Sequence, residues 1–157
     1  CKIKSYNRYS PLFSIFKIMK RKVNAVWNGN GLDGTGTLTA QSGAFESMPY
    51  SFKTRFENDK GELGTNPEEL IAAALAGCFN MKLSFVLNES NFNPEELNTD
   101  AFLVFEDGKV LSIELNLKAK VSDITNEKFQ ELSKEAKNNC PISGVLNCEI
   151  SLNASLV

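Results

Sequence analysis

No histidine occurs in the 157 residues. That absence excludes a Ser-His-Asp or Cys-His catalytic pair and any histidine-ligated zinc site. An activated nucleophile here must draw on arginine, lysine, a carboxylate or a helix end. The four cysteines, Cys1, Cys78, Cys140 and Cys148, form no C-x-x-C, which argues against a zinc ribbon and a thioredoxin-type motif. Long apolar runs are also missing. The longest, residues 70–79, stops at Asn80 and meets Lys82, short of the ~18 residues of a membrane helix, so no membrane partner is expected. Residues 1–18 lack acids altogether, although they carry Lys2, Lys4, Arg8 and Lys17. They also lack the apolar core and cleavage site of a secretory signal.

These residues are read as an extension outside the domain, a leftover of expression or an upstream start. Residues 19–157 are read as one domain. That domain holds nineteen acids and thirteen bases. An acidic surface without a basic stripe repels phosphate backbones, so nucleic acid is not an expected partner. Without a signal or a disulfide framework, a cytoplasmic protein with redox-active thiols is expected.

The pattern predicts an α+β fold in the order βββ-α-ββ-α-β. Residues 23–27, 35–41 and 50–56 read as three strands. Gly29-x-Gly31-x-x-Gly34 matches the dinucleotide-binding pattern literally, but a β-rich segment follows it, so it reads as a hairpin turn. Thr65-Asn66-Pro67-Glu68-Glu69 is a helix start, with a capping side chain, a first-turn proline and two acids at the positive end of the dipole. The helix should run to about residue 88. It is apolar or small on every side from 70 to 79, which predicts burial all round and a subunit interface as its cover. Residues 97–105 and 110–121 form a hairpin about Asp107-Gly108. Thr125 caps a helix over 126–138, and residues 148–156 make the last strand.

Several residues carry chemistry on one reading and none on another. Cys78, in Ala76-Gly77-Cys78-Phe79, taken alone reads as a small buried hydrophobe. Cys140 precedes Pro141. If a helical turn starts there, Cys140 takes the N-cap, where backbone N–H groups favour a thiolate; otherwise it is a loop residue. Cys148 reads as packing. Arg55 could pair with Glu57 on the surface, and Glu68 could be a plain helix-start acid.

Together these segments point one way. The run from Gly64 to Phe79, GTNPEELIAAALAGCF, closely resembles the first-cysteine helix of the OsmC and organic hydroperoxide resistance family. Asn139-Cys140-Pro141-Ile142-Ser143 resembles its second-cysteine motif. Trp27-x-Gly29, Pro49-Tyr50-Ser51-Phe52 and Thr54-Arg55-Phe56-Glu57 are similar too, the last in the manner of the OsmC branch. The loop 58–64 is a few residues longer than in the family. The resemblance implies an intertwined homodimer and a thiol-dependent peroxidase. By it, Cys78 attacks the peroxide, Cys140 resolves, and Arg55 with Glu68 activates. It implies no cofactor, only an external thiol or dithiol reductant, such as a lipoyl group.

An ordinary thiol, with pKa ~8.5, is only ~3% ionised at neutral pH, so an adjacent cation that lowers it to ~5.5 raises the thiolate roughly thirtyfold. Apolar neighbours, with Leu75, Phe79, Met81 and Phe45 as candidates for a pocket wall, would favour organic hydroperoxides. Two other classes remain open: a non-enzymatic dimer binding small apolar ligands, and a general thiol–disulfide oxidoreductase.

Overall fold

The computed structural model describes residues 18–58 and 64–157. The extension before residue 18, and most of the long loop, lie outside the described residues. The chain divides between Gly64 and Thr65 into two compact units.

The first unit is an antiparallel sheet in the order β1-β2-β3, made of β1 (Val23–Asn28), β2 (Thr35–Ala40) and β3 (Met48–Ser51). The glycine-rich segment is a turn between strands, as expected. The Asn30 side chain accepts from the Leu32 and Asp33 N–H groups, both at 2.9 Å. A side chain at Gly34 would collide with the Asn30 and Asn28 carbonyls. The Trp27 and Tyr50 rings meet across the sheet at a tilt of 47°, their centres 5.4 Å apart.

The third strand departs from the expectation over 50–56. It starts earlier, at Met48, and ends at Ser51, where α1 (Phe52–Phe56) begins. The reason is a reciprocal cap. Ser51 N–H donates to the Thr54 hydroxyl at 2.8 Å, and Thr54 N–H donates to the Ser51 hydroxyl at 3.1 Å. That pair satisfies two helix-end donors and outweighs the alternating aromatics, which meet instead at i,i+4 with the Phe52 and Phe56 rings 4.8 Å apart. Arg55 therefore sits on a short helix, its guanidinium 4.9 Å above the Phe56 ring.

The second unit joins a three-stranded sheet to two helices. It comprises α2 (Pro67–Glu89), β4 (Pro94–Glu106), β5 (Lys109–Val121), α3 (Asn126–Asn138) and β6 (Glu149–Leu156), with strand order β4-β5-β6. β4 and β5 are the expected hairpin. Asp107 and Gly108 both take positive φ, 50° and 77°, which suits a tight two-residue turn. β6 returns parallel to β5. Asn66 caps α2, accepting from Glu69 N–H at 2.8 Å, and Thr125 caps α3.

The core is the layer between helices and sheet. Leu75, Phe79, Leu83, Val86 and Leu87 of α2 meet Ile113, Leu115, Leu117 and Ala119 of β5 and Phe129, Leu132 and Ala136 of α3. From Ile113 to Ala119 every second residue of β5 is buried, as its alternation predicts, whereas Leu111 on the same face is exposed. Asn80 fixes the helix against β4: its amide donates to the Leu97 carbonyl at 3.1 Å and accepts from the Thr99 hydroxyl at 2.6 Å.

Within one chain α2 is covered on one side only, which leaves open the face for which a subunit interface is the expected cover. Ala73, Ala74, Gly77, Met81 and Phe85 are exposed on the side away from the sheet. By length and composition α2 is also apolar enough to cross a membrane, with a mean hydropathy of 1.8 over its best window, although no uninterrupted apolar run is that long. Its packing onto β4 and α3 assigns it to the core of this unit.

Candidate active site

The second unit brings Cys78 and Cys140 together. Their sulfurs are 3.0 Å apart, across 62 residues of sequence. Cys78 lies on the flank of α2 and is partly exposed, whereas Cys140 is enclosed, with 2% of its surface accessible. Both are free thiols.

Local structure explains the position of Cys140. α3 ends at Asn138, and Pro141 cannot continue a helix from the preceding segment but can open a new turn. That turn forms: Gly144 N–H donates to the Cys140 carbonyl at 3.2 Å, and Val145 N–H to the Ile142 carbonyl at 3.1 Å. Cys140 thus occupies the capping position read from the sequence. Its sulfur takes the place of a capping oxygen at the head of that turn, where the Ile142 and Ser143 N–H groups favour its charged form.

These donors decide which sulfur carries charge. Burial pushes the Cys78 thiol up, and its hydrogen bond with Cys140 pushes it further the same way; the Ile142 N–H pulls it partly back. Burial pushes Cys140 up as well. Against that stand the Cys78 thiol, the N–H and hydroxyl of Ser143 and the Ile142 N–H, and together they bring Cys140 below the ordinary thiol range. The arrangement favours ionisation at Cys140 over Cys78, with the Ile142 N–H acting on both sulfurs. Negative charge on Cys140 is one of the causes that hold Cys78 up. Cys140→Ser should therefore let Cys78 ionise at a lower pH than in the parent, read by ultraviolet thiolate absorbance; an unchanged or higher midpoint would contradict this assignment.

The other expected site residues lie on elements of both units. Arg55 lies on α1 of the first unit, and Phe45 in the loop between β2 and β3. Glu68 sits in the first turn of α2, ten positions before Cys78 on an uninterrupted helix. Of the pocket-wall candidates, Leu75 and Phe79 are wholly enclosed in the core and Met81 is exposed. Leu75 and Phe79 are core residues in this chain, because α2 turns that face to the sheet. Two depressions on this unit, between β5, β6 and α3 and between α2 and β4, are lined by neither cysteine. Sequence reading assigned no role to Ile142 and Ser143. The signal was their spacing, two and three residues after a cysteine that a proline follows. Among the described residues no cluster of three cysteine or acidic side chains could hold a metal.

Comparison with known proteins places this arrangement. The family model described as OsmC-like protein matches residues 58–155. Peroxiredoxin OsmC of Escherichia coli (strain K12) is 41% identical over 140 residues, covering 87% of this chain and 96% of that protein. Organic hydroperoxide resistance protein OhrB of Bacillus subtilis (strain 168) is 31% identical over 126 residues, covering 77% and 88%. The crystal structure of the Bacillus subtilis OhrB protein superposes with a TM-score of 0.64 at 29% identity, covering 87% of this chain and 98% of that one. With a matching family model, paired cysteines at the motif positions and an OsmC-like fold, the chain belongs to the OsmC family.

Proposed function

We propose that this protein is a cysteine-based peroxidase that reduces organic hydroperoxides to alcohols in oxidative stress defence. The observation that carries the proposal is the 3.0 Å approach of the Cys78 and Cys140 sulfurs, close enough for both proton exchange and bond formation. The names of the relatives, a peroxiredoxin and an organic hydroperoxide resistance protein, point the same way.

The chemistry balances as follows. The Cys78 proton passes to the Cys140 thiolate. The Cys78 thiolate then attacks the terminal peroxide oxygen, the O–O bond breaks, and an alkoxide leaves. Cys78 becomes a sulfenic acid, and the alkoxide takes the proton from Cys140 to become the alcohol. Cys140, again a thiolate, attacks the Cys78 sulfur and expels hydroxide, which solvent protonates. The product is a disulfide, and an external thiol or dithiol supplies the two electrons that reopen it.

Arg55 is the proposed cation that stabilises the Cys78 thiolate once its proton has left and donates to the leaving oxygen, with Glu68 orienting its guanidinium. Glu68 and Cys78 are separated by ~15 Å along a continuous helix. An arginine paired with Glu68 of one chain would therefore serve Cys78 of a second, which makes a homodimer part of the proposal. An alkyl substituent resting on apolar side chains would gain ~0.8 kcal/mol per buried CH₂, the basis for preferring organic peroxides. The test is consumption of cumene hydroperoxide with a dithiol reductant. Sustained turnover is expected, faster than with hydrogen peroxide. No turnover with either monothiol or dithiol reductants would return the cysteines to packing residues.

A further inference from the structure

The apolar pattern of α2 does not fix its roll. Apolar and small residues surround the helix from 70 to 79, and a Cβ placed on Gly77 would meet nothing within 4 Å. Its β4 flank is open in this stretch, where a depression lined by Ala72, Ala73, Ala76, Thr99 and Ala101 lies between helix and strand. Side chains this small form shallow ridges that hold a helix poorly at one rotation. Roll matters because the two thiols must meet. A side-chain atom ~5 Å from the axis moves ~1.7 Å when the helix turns by about 20°. That is a large part of the 3.0 Å between the Cys78 and Cys140 sulfurs.

Asn80 supplies the missing constraint. Cys78 precedes Phe79 and Asn80 follows it, so their side chains leave α2 ~100° to either side of the face that Phe79 buries. On the Asn80 side, β4 engages both ends of the half-buried amide: the Thr99 hydroxyl donates to it at 2.6 Å, and it donates to the Leu97 carbonyl at 3.1 Å. On the Cys78 side stands the Cys140 sulfur. An amide held from two directions specifies one orientation, as a buried asparagine does between apolar helices. We propose that Asn80 is a positioning residue for the thiol pair: its bonds to Thr99 and Leu97 of β4 set the roll of α2 so that Cys78, on the opposite flank, faces Cys140. The role deepens the peroxidase reading and rests on it for its use, since proton exchange and disulfide closure both need the short sulfur–sulfur approach.

The experiment uses the equilibrium between the thiol pair and glutathione, which needs no peroxide. The glutathione S–S bond breaks, the Cys78–Cys140 bond forms, and two electrons and two protons pass to two molecules of reduced glutathione. Parent, Thr99→Val, Thr99→Ser and Asn80→Ala are equilibrated in glutathione buffers and quenched with acid, and the Cys78–Cys140 disulfide is quantified by mass spectrometry. Circular dichroism shows that each is folded. Thr99→Val removes the donor to Asn80 and should lower the equilibrium constant for the disulfide about threefold to tenfold. Asn80→Ala should lower it at least as far. Thr99→Ser keeps the hydroxyl and should stay within about twofold of the parent. Valine suits a strand better than serine, so an effect of strand stability alone would give the reverse order.

Equilibrium constants within about twofold of the parent in both Thr99→Val and Asn80→Ala would overturn the proposal. So would Thr99→Ser falling as far as Thr99→Val, or a parent that forms no Cys78–Cys140 disulfide. If Asn80→Ala does not fold, the two Thr99 variants decide. A parent that closes the disulfide with glutathione but consumes no cumene hydroperoxide would remove the peroxidase reading and leave the positioning role to be judged by the same variants.

Discussion

Cys78→Ser should abolish peroxide turnover, a fall of roughly a thousandfold or more to the rate of reductant and buffer alone. Serine is close to cysteine in size, so the core beside it should survive. What it lacks is an ionisable, polarisable sulfur: an alcohol at this position stays protonated near neutral pH and cannot accept oxygen from a peroxide. Cys140 cannot take over the attack, because it is enclosed to 2% exposure. The check is consumption of cumene hydroperoxide at matched protein concentrations, with thermal melting to show that the variant is folded. Turnover within a few-fold of the parent would remove Cys78 from the mechanism.

Phe79→Ala should produce the largest loss of stability, about 3–5 kcal/mol. Phe79 is fully enclosed and faces the β5 and α3 side chains of the second unit. Truncating it removes a ring from a packed layer and leaves a cavity that the β5 strand cannot collapse to fill. Against a total folding stability that is typically ~5–15 kcal/mol, such a loss shifts a urea midpoint strongly. Phe79 also neighbours Cys78, so the helix face that presents the thiol should lose definition with it. A loss under about 1 kcal/mol would mean that Phe79 is a wall residue that rearranges rather than part of the core.

The difference between those two positions shows what the sequence could and could not convey. Cap chemistry was legible: Asn66-Pro67-Glu68-Glu69 starts α2 and Thr125 starts α3, because the signals are local. The alternation of Ile113, Leu115, Leu117 and Ala119 marked the buried face of β5, because a strand with one wet face writes its orientation into a period of two. α2 writes no such record. Its apolar and small residues lie all round the helix, so nothing in the pattern separates the face on the sheet from the face left bare. Leu75 and Phe79 were for that reason placed in a pocket wall, and the structure puts them in the core.

The ending of β3 at Ser51 was missed for the opposite reason. Alternating aromatics at 50–56 gave a clear strand signal, and the Ser51–Thr54 cap overrode it. As for the site, Cys140 at the head of a turn followed from Pro141. Its approach to Cys78 did not, since no local rule links residues 62 positions apart; only the resemblance of both motifs to one family suggested it.

The most direct test of the account is where the disulfide forms. Fully reduced protein is treated with equimolar cumene hydroperoxide, blocked with an alkylating reagent, digested without reductant and mapped by mass spectrometry. The account predicts an intramolecular Cys78–Cys140 disulfide as the dominant product, with Cys148 alkylated. A disulfide that engages Cys148, or peroxide consumed with Cys78 and Cys140 both left as free thiols, would contradict it.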